Sequence, residues 1–159
     1  MRQMRRINRQ ITDREKLRQI IEDCKVVRIG AMDAEGLFVL PVNYGYDLEG
    51  DRLTLYIHSA KEGRKAELFL EGAEVAFEMD RGHRLITGAY TCAYSYAYQS
   101  IMGNGRIELV KTDEEKRYGL KRLMEHLAPE HAAVFSDEMV DAVNVYCLKA
   151  DHFTGKERA

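Results

Sequence analysis

Tryptophan is absent from this 159-residue chain, proline occurs only twice, and cysteine occurs three times, as Cys24, Cys92 and Cys147. The wide spacing of the cysteines excludes a disulfide-stapled scaffold and a CxxC metal or redox motif. No apolar run approaches the ~20 residues that a membrane-spanning helix needs. No glycine-rich or serine-rich linker interrupts the sequence, so we expect one domain over residues 1–159.

Net charge is also small, at −2 for pH 7, and provides no general attraction to nucleic acid. The first ten residues contain Arg2, Arg5, Arg6 and Arg9, but no apolar stretch follows them, so they do not resemble a secretory signal. We interpret residues 1–10 as a basic arm that is solvated or docked on the surface, with an anion or an acidic partner as the alternative binding target. Together with the scarcity of cysteine, this predicts a cytoplasmic protein that engages neither nucleic acid nor a membrane.

The first half of the chain is predicted to contain one helix and then short strands. Thr12 and Glu15 fit a capping box at the start of a helix that ends near Cys24. Three runs with alternating apolar residues follow, and tight turns separate them: Lys25–Met32, Leu37–Tyr46 and Leu53–His58. Strands joined by such short turns predict an antiparallel meander.

The second half adds further strands and two longer helices. Ser59 is the predicted N-cap of a helix ending near Leu70. Thr112 or Asp113 caps a second helix, which Pro129 ends. The remaining segments are predicted as a strand, a loop, a strand whose glycines mark a bulge or a close backbone approach, a short helix and a final strand: 73–79, 80–92, 93–110, 137–142 and 143–149. This pattern predicts a mainly β protein, a small barrel of about six antiparallel strands with peripheral helices.

The segment from His58 to Lys65 carries the most polar chemistry. Arg64 and Lys65 stand together near a predicted helix start, where backbone N–H groups, a guanidinium and an ammonium suit a phosphate. The more ordinary interpretation of such a pair is a solvated helix turn. His58 stands alone at a strand end, where a histidine is usually a hydrogen-bonded structural residue. The other histidines are scattered and predict no metal site.

Two further segments are candidates for ligand contact. Pro41 lacks an N–H group, so its strand belongs at a sheet edge or a bulge, where a ligand can meet free backbone groups. The alternation of Tyr94, Tyr96 and Tyr98 puts aromatic rings on one face, which suits a stacked planar ligand, a partner subunit or ordinary core packing. The sequence contains no nucleophile elbow, Walker A or dinucleotide-binding glycine motif.

Several segments together resemble one family. VVRIGAMD, VLPVNYGY, LTLYIHSAKEGRKAEL, VAFEMD and CAYSYAYQSIMGNGRIELV are similar to stretches of the nitroimidazole-resistance branch of the pyridoxamine-phosphate-oxidase-like, flavin-binding split barrels. The similarity runs from about Arg5 to Lys156, nearly the whole chain. The combination of HSAxxGRK with YxSxMGxG is fairly specific to that branch, whereas each piece alone is not.

The resemblance implies a split barrel that binds FMN, with FAD as the alternative. By position it implies that one strand contacts the flavin through Val39, Pro41, Val42 and Asn43. It implies further contacts from His58 and Ser59 at the end of the next strand, from Arg64 and Lys65, which hold the phosphate, and from Ser100 and Met102 on a later strand. It also implies a homodimer with two flavin sites at the subunit interface, and a tyrosine-rich strand that faces the cleft.

The function implied by the resemblance is a flavin-dependent oxidoreductase that reduces the nitro group of small nitroaromatics, with His58 as the catalytic polar group beside the reacting ring. A carrier or sensor that holds flavin or haem without turnover is the alternative, with His58 as an axial haem ligand. A third interpretation is a regulatory protein whose basic arm binds a partner. Because the chain lacks tryptophan and the C-terminal extension of the vitamin-oxidising members, we do not expect vitamin B6 oxidation.

Overall fold

Eight β-strands and four α-helices make up most of residues 2–159, the part of the chain that a computed structural model describes. The strands are β1 (Gln10–Ile11), β2 (Val27–Asp33), β3 (Gly36–Val42), β4 (Gly45–Glu49), β5 (Arg52–Ala60), β6 (Ala73–Ile86), β7 (Ser95–Leu109) and β8 (Val143–Arg158). The helices are α1 (Arg14–Asp23), α2 (Arg64–Phe69), α3 (Asp113–Leu127) and α4 (Asp137–Asp141). Met1, the first residue of the predicted arm, lies outside the described residues.

All strands join one antiparallel sheet in the order β3-β2-β6-β7-β8-β5-β4, and β1 pairs with β8. The prediction of a mainly β, antiparallel fold is confirmed, but the structure has eight strands rather than about six. Pairing with β8 fixes the end of the basic arm to the sheet, since Gln10 lies opposite Lys156.

The predicted strand 37–46 is wrong, because the chain divides there between the two edges of the sheet. β3 ends at Val42 at one edge, and β4 begins at Gly45 at the other edge, so the meander prediction fails as well. Tyr44 lies in between, and its buried hydroxyl donates to the carbonyl oxygens of Ile21 and Cys24 at 2.6 and 2.8 Å. These bonds hold the connection against the end of α1. The edge position of β3 agrees with the prediction drawn from Pro41.

Two strands are much longer than predicted, because polar pairs replace hydrophobic alternation at their ends. Residues 80–86 form part of β6 rather than a loop, and β8 continues past residue 149 to Arg158. Gln99 accepts from Arg81 at 2.8 Å and donates to Glu157 at 3.0 Å. At Asn104 and Gly105 the register with β8 shifts by one residue, and the extra residue is Asp151, so this bulge lies in β8 rather than in β7. The close backbone approach expected as the alternative is present, because a Cβ on Gly105 would clash with the Lys149 carbonyl of β8.

Helix starts were predicted with mixed success. Thr112 caps α3 by accepting from the Glu115 amide at 3.2 Å, as expected. At α1 the cap is Asp13 rather than Thr12, and it accepts from the Glu15 amide at 2.9 Å. Ser59 is not a helix cap, because β5 continues through it to Ala60.

Two apolar clusters stabilise the fold from opposite faces of the sheet. The main core lies inside the curled sheet and includes Ile29, Ile57 and Ile107, all fully buried. A smaller cluster lies on the outer face, where Val145 of β8 packs against Leu120 of α3 and Val140 of α4. Each fully buried side chain of this size contributes roughly 1.5–3 kcal/mol. Among the described helices, none has the length and apolarity needed to cross a membrane.

Candidate functional site

The outer face of the sheet has two unlike halves. Over β4, β5 and the first part of β8, helices α3 and α4 cover it; we call this the covered half. Over β3, β2, β6 and β7 no helix of the described chain covers it; we call this the open half. Four large apolar side chains are exposed there, by 65, 83, 66 and 59%: Met32, Leu37, Val39 and Met102. Exposed apolar groups gathered in this way indicate a binding surface.

Cross-strand register organises the open half into rows of side chains. Val39, Gly30, Ala76 and Asn104 lie opposite one another across β3, β2, β6 and β7. Because Gly30 and Ala76 are small, this row forms the floor of a shallow depression with a volume of about 550 Å³. The volume lies within the 300–1,000 Å³ typical of small-molecule sites.

Arg64 and Lys65 begin α2 where it meets the turn between β2 and β3. Gly63 precedes them with φ 116°, a left-handed value that a residue with a side chain rarely adopts. The Arg64 guanidinium forms a bidentate pair with Asp33, at 2.5 and 2.7 Å, and donates to the Gly36 carbonyl at 3.3 Å. It also lies 4.0 Å from the centroid of the Phe38 ring. Arg64 therefore connects α2 to the β2–β3 turn.

These contacts leave part of the pair available for an anion. The bonds of Arg64 use Nε and Nη2, and within residues 2–159 no hydrogen bond uses Nη1. Lys65 is half-buried and has no ion-pair partner in the described part of the chain. The hydrogen bond from Arg64 lowers the pKa of Asp33, so this carboxylate stays charged and competes with any phosphate. The pair thus fits a phosphate, but only beside Asp33.

His58 and Ser59 point to opposite faces of β5. His58 is exposed on the outer face, whereas the Ser59 hydroxyl is buried on the core side and lies 2.9 Å from the Tyr146 hydroxyl. Desolvation and then the positive charge of Lys65 lower the pKa of His58. The imidazole is therefore held in its neutral form near neutral pH. The structure does not bring the two side chains together.

The residues predicted on β3 divide in the same way. Val39 and Pro41 are exposed on the outer face, while Val42 is half-buried against the core. The Asn43 amide donates to the Lys25 carbonyl at 2.9 Å, so the side chain holds the chain after β3. Val39 and Pro41 are therefore the members of this set that can contact a ligand on the open half.

Ser100 and Met102 lie on the open half, far from His58. Ser100 pairs with Lys156 and His58 with Val145. At about 3.3 Å per residue, on the order of 35 Å of β8 separates those two positions. Within one subunit, His58 is therefore far from Ser100 and Met102, whereas Arg64 contacts the β2–β3 turn at the end of the open half.

A cluster of ionisable side chains on the open half was not predicted. Arg28 lies 3.2 Å from Glu78 and 3.5 Å from Asp80, and His83 lies 3.2 Å from Asp80. Oxygen Oε1 of Glu78 is buried and has no hydrogen-bond partner among the described residues. In the segment VAFEMD, Glu78 and Asp80 are two residues apart, and this spacing could have predicted that both lie on the same face of a strand. Their pairing with Arg28 depends on long-range register, which the sequence does not reveal.

Comparison with known proteins agrees with this architecture. Residues 13–157 match the pyridoxamine 5'-phosphate oxidase family. The chain belongs to this family. It is 32% identical to a candidate 5-nitroimidazole antibiotic resistance protein from Bacteroides thetaiotaomicron, with a TM-score of 0.77 over 93% of this chain and 86% of that one. A search of curated proteins found no match.

More distant structures share the fold of this family member. The FAD and haem binding protein of Mycobacterium smegmatis is 21% identical, with a TM-score of 0.81 over 94% of this chain and 73% of that one. The flavocytochrome Anf3 of Azotobacter vinelandii is 23% identical, with a TM-score of 0.79 over 99% of this chain and 72% of that one. Both similarities support the split-barrel prediction.

Proposed function

We propose that the chain binds a flavin nucleotide, FMN in the first instance and FAD as the alternative, and uses it as an oxidoreductase. The observation that carries this proposal is the open half itself, an apolar surface with a shallow depression. The Arg64–Lys65 pair supports it as a phosphate site, through Nη1 of Arg64 and the Lys65 ammonium. Membership of the family and the flavin-binding names of the similar structures support it further.

The flavin supplies the electron transfer, and the protein supplies binding and orientation. Val39 and Pro41 offer an apolar surface to a planar ring, and Ser100 and Met102 lie on the same open half. His58, exposed and neutral, lies near Lys65 and is the catalytic candidate on that side. Its role is to offer a hydrogen bond to the bound ring or substrate without adding positive charge.

A homodimer completes the site in this proposal. One subunit separates its His58 from its Ser100 and Met102 by a long stretch of β8. A second copy, docked on the open half, brings its own Ser100 and Met102 to the first copy's His58 and Arg64. Covering the exposed apolar side chains also provides the driving force for association.

The proposed substrates are small nitroaromatics, which the bound flavin reduces at the nitro group. The 32% identity with the Bacteroides thetaiotaomicron protein supports this class, because that protein is named for resistance to 5-nitroimidazoles. A flat heteroaromatic ring also suits an apolar depression of about 550 Å³ next to a planar cofactor.

Absorbance spectroscopy tests the binding step. The purified protein, mixed with FMN and freed of excess, is expected to keep a bound-flavin spectrum. Arg64→Ala combined with Lys65→Ala is expected to weaken binding about 100-fold, because two charge-assisted contacts are lost. The matched control, Arg52→Ala with Lys121→Ala, removes the same charge from exposed sites and is expected to leave binding unchanged. A protein that retains no flavin, or a double variant that binds like the wild type, contradicts the proposal.

A flavin- or haem-binding carrier without turnover is the second candidate, because His58 presents a neutral imidazole at the surface and that form ligates iron. Two proteins that share the fold are named for haem or a flavocytochrome. Haem binding predicts a Soret band that is lost in His58→Ala. Flavin binding without any oxidation of the reduced protein by nitroaromatics would favour the carrier.

A further inference from the structure

We propose that Glu78, together with Asp80, holds a proton on the open half and donates it to the substrate during flavin-dependent reduction. This inference rests on the proposed function and names the proton source of the same site. Reduction of a nitro group consumes protons as well as electrons, so the site needs an acid. His58, which is held neutral, does not carry the extra proton of an imidazolium.

The geometry of the cluster leaves one carboxyl oxygen of Glu78 without a partner. Oxygen Oε2 accepts from Arg28 Nη1 at 3.2 Å, while Oε1 is buried without a hydrogen-bond partner in residues 2–159. A buried carboxylate oxygen in this position is costly, whereas a protonated one becomes a donor. Asp80, two residues along the same face of β6, is the acceptor within reach.

The titratable and charged groups around Glu78 come from three elements. Arg28 of β2 lies against both carboxyls, His83 of β6 lies 3.2 Å from Asp80, and Cys24 at the end of α1 donates to the Asp80 carbonyl at 3.4 Å. From β7, the neighbours Ser100 and Met102 bring no charge. Arg28 thus compensates one negative charge, and the second carboxyl is stabilised by keeping its proton.

The electrostatics of the pair agree with one shared proton. Desolvation, followed by the proximity of the Asp80 carboxyl, which can accept the proton of Glu78, raises the pKa of Glu78, and Arg28 only partly opposes this. For Asp80, desolvation is the largest single effect and would raise the pKa. Hydrogen bonds with His83 and Glu78 and the charge of Arg28 outweigh it and lower the pKa. Glu78 is therefore the acid and Asp80 the carboxylate of the pair.

Strand register places this acid beside the predicted flavin contacts. Pro41, Arg28, Glu78 and Met102 form one row across β3, β2, β6 and β7. In the next row, Asp80 lies opposite Ser100. Side chains directly opposite on neighbouring strands lie about 5 Å apart at Cβ. A ligand in contact with Met102 is thus within reach of the Glu78 carboxyl.

The proposed step balances as a two-electron reduction. The reduced flavin is the reductant and provides a hydride, which carries both electrons and one hydrogen. Glu78 provides the second hydrogen as a proton and becomes a carboxylate paired with Arg28. One N–O bond of the nitro group breaks, its oxygen leaves as water with both hydrogens, and the nitroso compound remains. The flavin is oxidised, and solvent returns the proton to Glu78.

Single-turnover kinetics test the step. The flavin-loaded protein is reduced anaerobically with dithionite and mixed with a 5-nitroimidazole, and reoxidation is followed by flavin absorbance. Glu78→Gln is expected to slow reoxidation about 100-fold or more, as loss of a general acid does, while flavin stoichiometry is unchanged. Glu108→Gln, on the outer face of β7 far from Met102, is the matched control and is expected to react like the wild type.

A titration that does not depend on activity provides the second readout. In ¹³C NMR spectra of the flavin-loaded protein, one glutamate carboxyl is expected to titrate well above the ordinary value of about 4.3 and to disappear in Glu78→Gln. Asp80→Asn removes the negative neighbour of Glu78, so the Glu78 carboxyl is expected to titrate at a lower pH in this variant. The reoxidation rate of the wild type is expected to fall as pH rises through the titration of Glu78, and in Asp80→Asn this fall is expected at a lower pH.

The outcomes separate this inference from the proposed function. A wild-type protein that binds flavin and reacts, with Glu78→Gln equally fast, overturns the role of Glu78 and leaves the proposed function standing. A Glu78 carboxyl that titrates at or below the ordinary glutamate value overturns it as well, even if the variant does not fold. A wild-type protein that binds no flavin, or does not react, overturns both.

Discussion

The covered and open halves of the outer sheet face bear similar side chains in opposite surroundings. On the covered half, Val145 is 1% exposed because α3 and α4 pack over it. On the open half, Val39 is 66% exposed, and the side chains of Met32, Leu37 and Met102 are exposed to a similar extent. Helices of the chain therefore cover one half of the outer sheet face, and no helix of residues 2–159 covers the other half.

The same contrast appears in the polar groups. Beneath α3, Asp47 accepts from the hydroxyls of Tyr56 and Tyr118 and pairs with Arg122 at 2.9 Å, so both of its carboxylate oxygens have partners. On the open half, Glu78 keeps an unpartnered oxygen. Hydrogen bonds and an ion pair thus satisfy Asp47 on the covered half, whereas the open half retains exposed apolar side chains and one carboxylate oxygen without a partner among the described residues.

The largest expected effect is on folding stability, and it differs between Gly45 on the covered half and Gly30 on the open half. A Cβ on Gly45 would lie 2.4 Å from backbone atoms of Arg122 and Leu123, so Gly45→Ala must push α3 away from β4. A Cβ on Gly30 would meet its nearest atom, the Ala76 carbonyl oxygen, at 3.9 Å. Chemical denaturation is expected to show a loss of about 3 kcal/mol for Gly45→Ala and a change within about 0.5 kcal/mol for Gly30→Ala.

Equal stability of these two alanine variants would show that α3 can shift away from β4 at little cost in the free energy of unfolding. The covered half would then be no better packed than the open half, and the comparison would fail.

The next effect is on association. Val39→Glu puts a charge in the middle of the open half, where the proposed dimer would have to bury it without a partner. Sedimentation is expected to show that the dimer dissociates into monomers, with its dissociation constant raised about 100-fold, and flavin binding is expected to fall with it. Val134→Glu, at a residue that is 78% exposed after α3, is the control and is expected to leave the dimer intact. A Val39→Glu protein that stays dimeric would place the interface elsewhere.

A smaller effect concerns the competition between Asp33 and a phosphate for Arg64. Asp33→Asn removes the negative charge that now holds the guanidinium, so FMN affinity is expected to rise several-fold in a fluorescence titration. Glu35→Gln, whose carboxylate lies 3.8 Å from Arg64, is the matched control, with a weaker effect in the same direction. Weaker FMN binding in Asp33→Asn would mean that Asp33 orients Arg64 more than it competes.

The smallest effect is on the titration of His58. Its pKa is lowered first by desolvation and then by Lys65. Lys65→Ala removes the second cause, so NMR is expected to show the pKa of His58 rising toward its ordinary value, while desolvation still holds it below that value. An unchanged pKa would show that the Lys65 ammonium does not act on His58, which would contradict the placement of His58 beside the proposed phosphate site.

Local sequence signals predicted the parts of this fold that depend on local physics. The alternation of Leu53 to His58, the Thr112 cap and the edge strand marked by Pro41 each follow from nearby residues, and the structure contains them. The ends of β6 and β8 were missed because Arg81, Gln99 and Glu157 stabilise them through cross-strand polar bonds. Such bonds join residues far apart in the chain and leave no periodic signal.

Residue chemistry predicted the Arg64–Lys65 pair and the Pro41 strand as candidates, and family resemblance supplied the rest of the candidate site. The structure adds what both lack. Ser59 faces the core, Asn43 binds the backbone of Lys25, and Arg64 is already paired with Asp33. The ionisable cluster around Glu78 depends on the register between β2 and β6, which arises from the fold as a whole. Side-chain direction and register are thus the two properties that needed the structure.

Sedimentation velocity followed at the visible absorbance of flavin tests the central claim most directly, because it reports binding and assembly together. The account predicts that flavin sediments with a species of twice the 18.3 kDa chain mass, with one flavin per chain. Flavin that remains at the free-ligand position, or that moves with a single 18.3 kDa chain, would contradict a flavin site completed by a second copy on the open half.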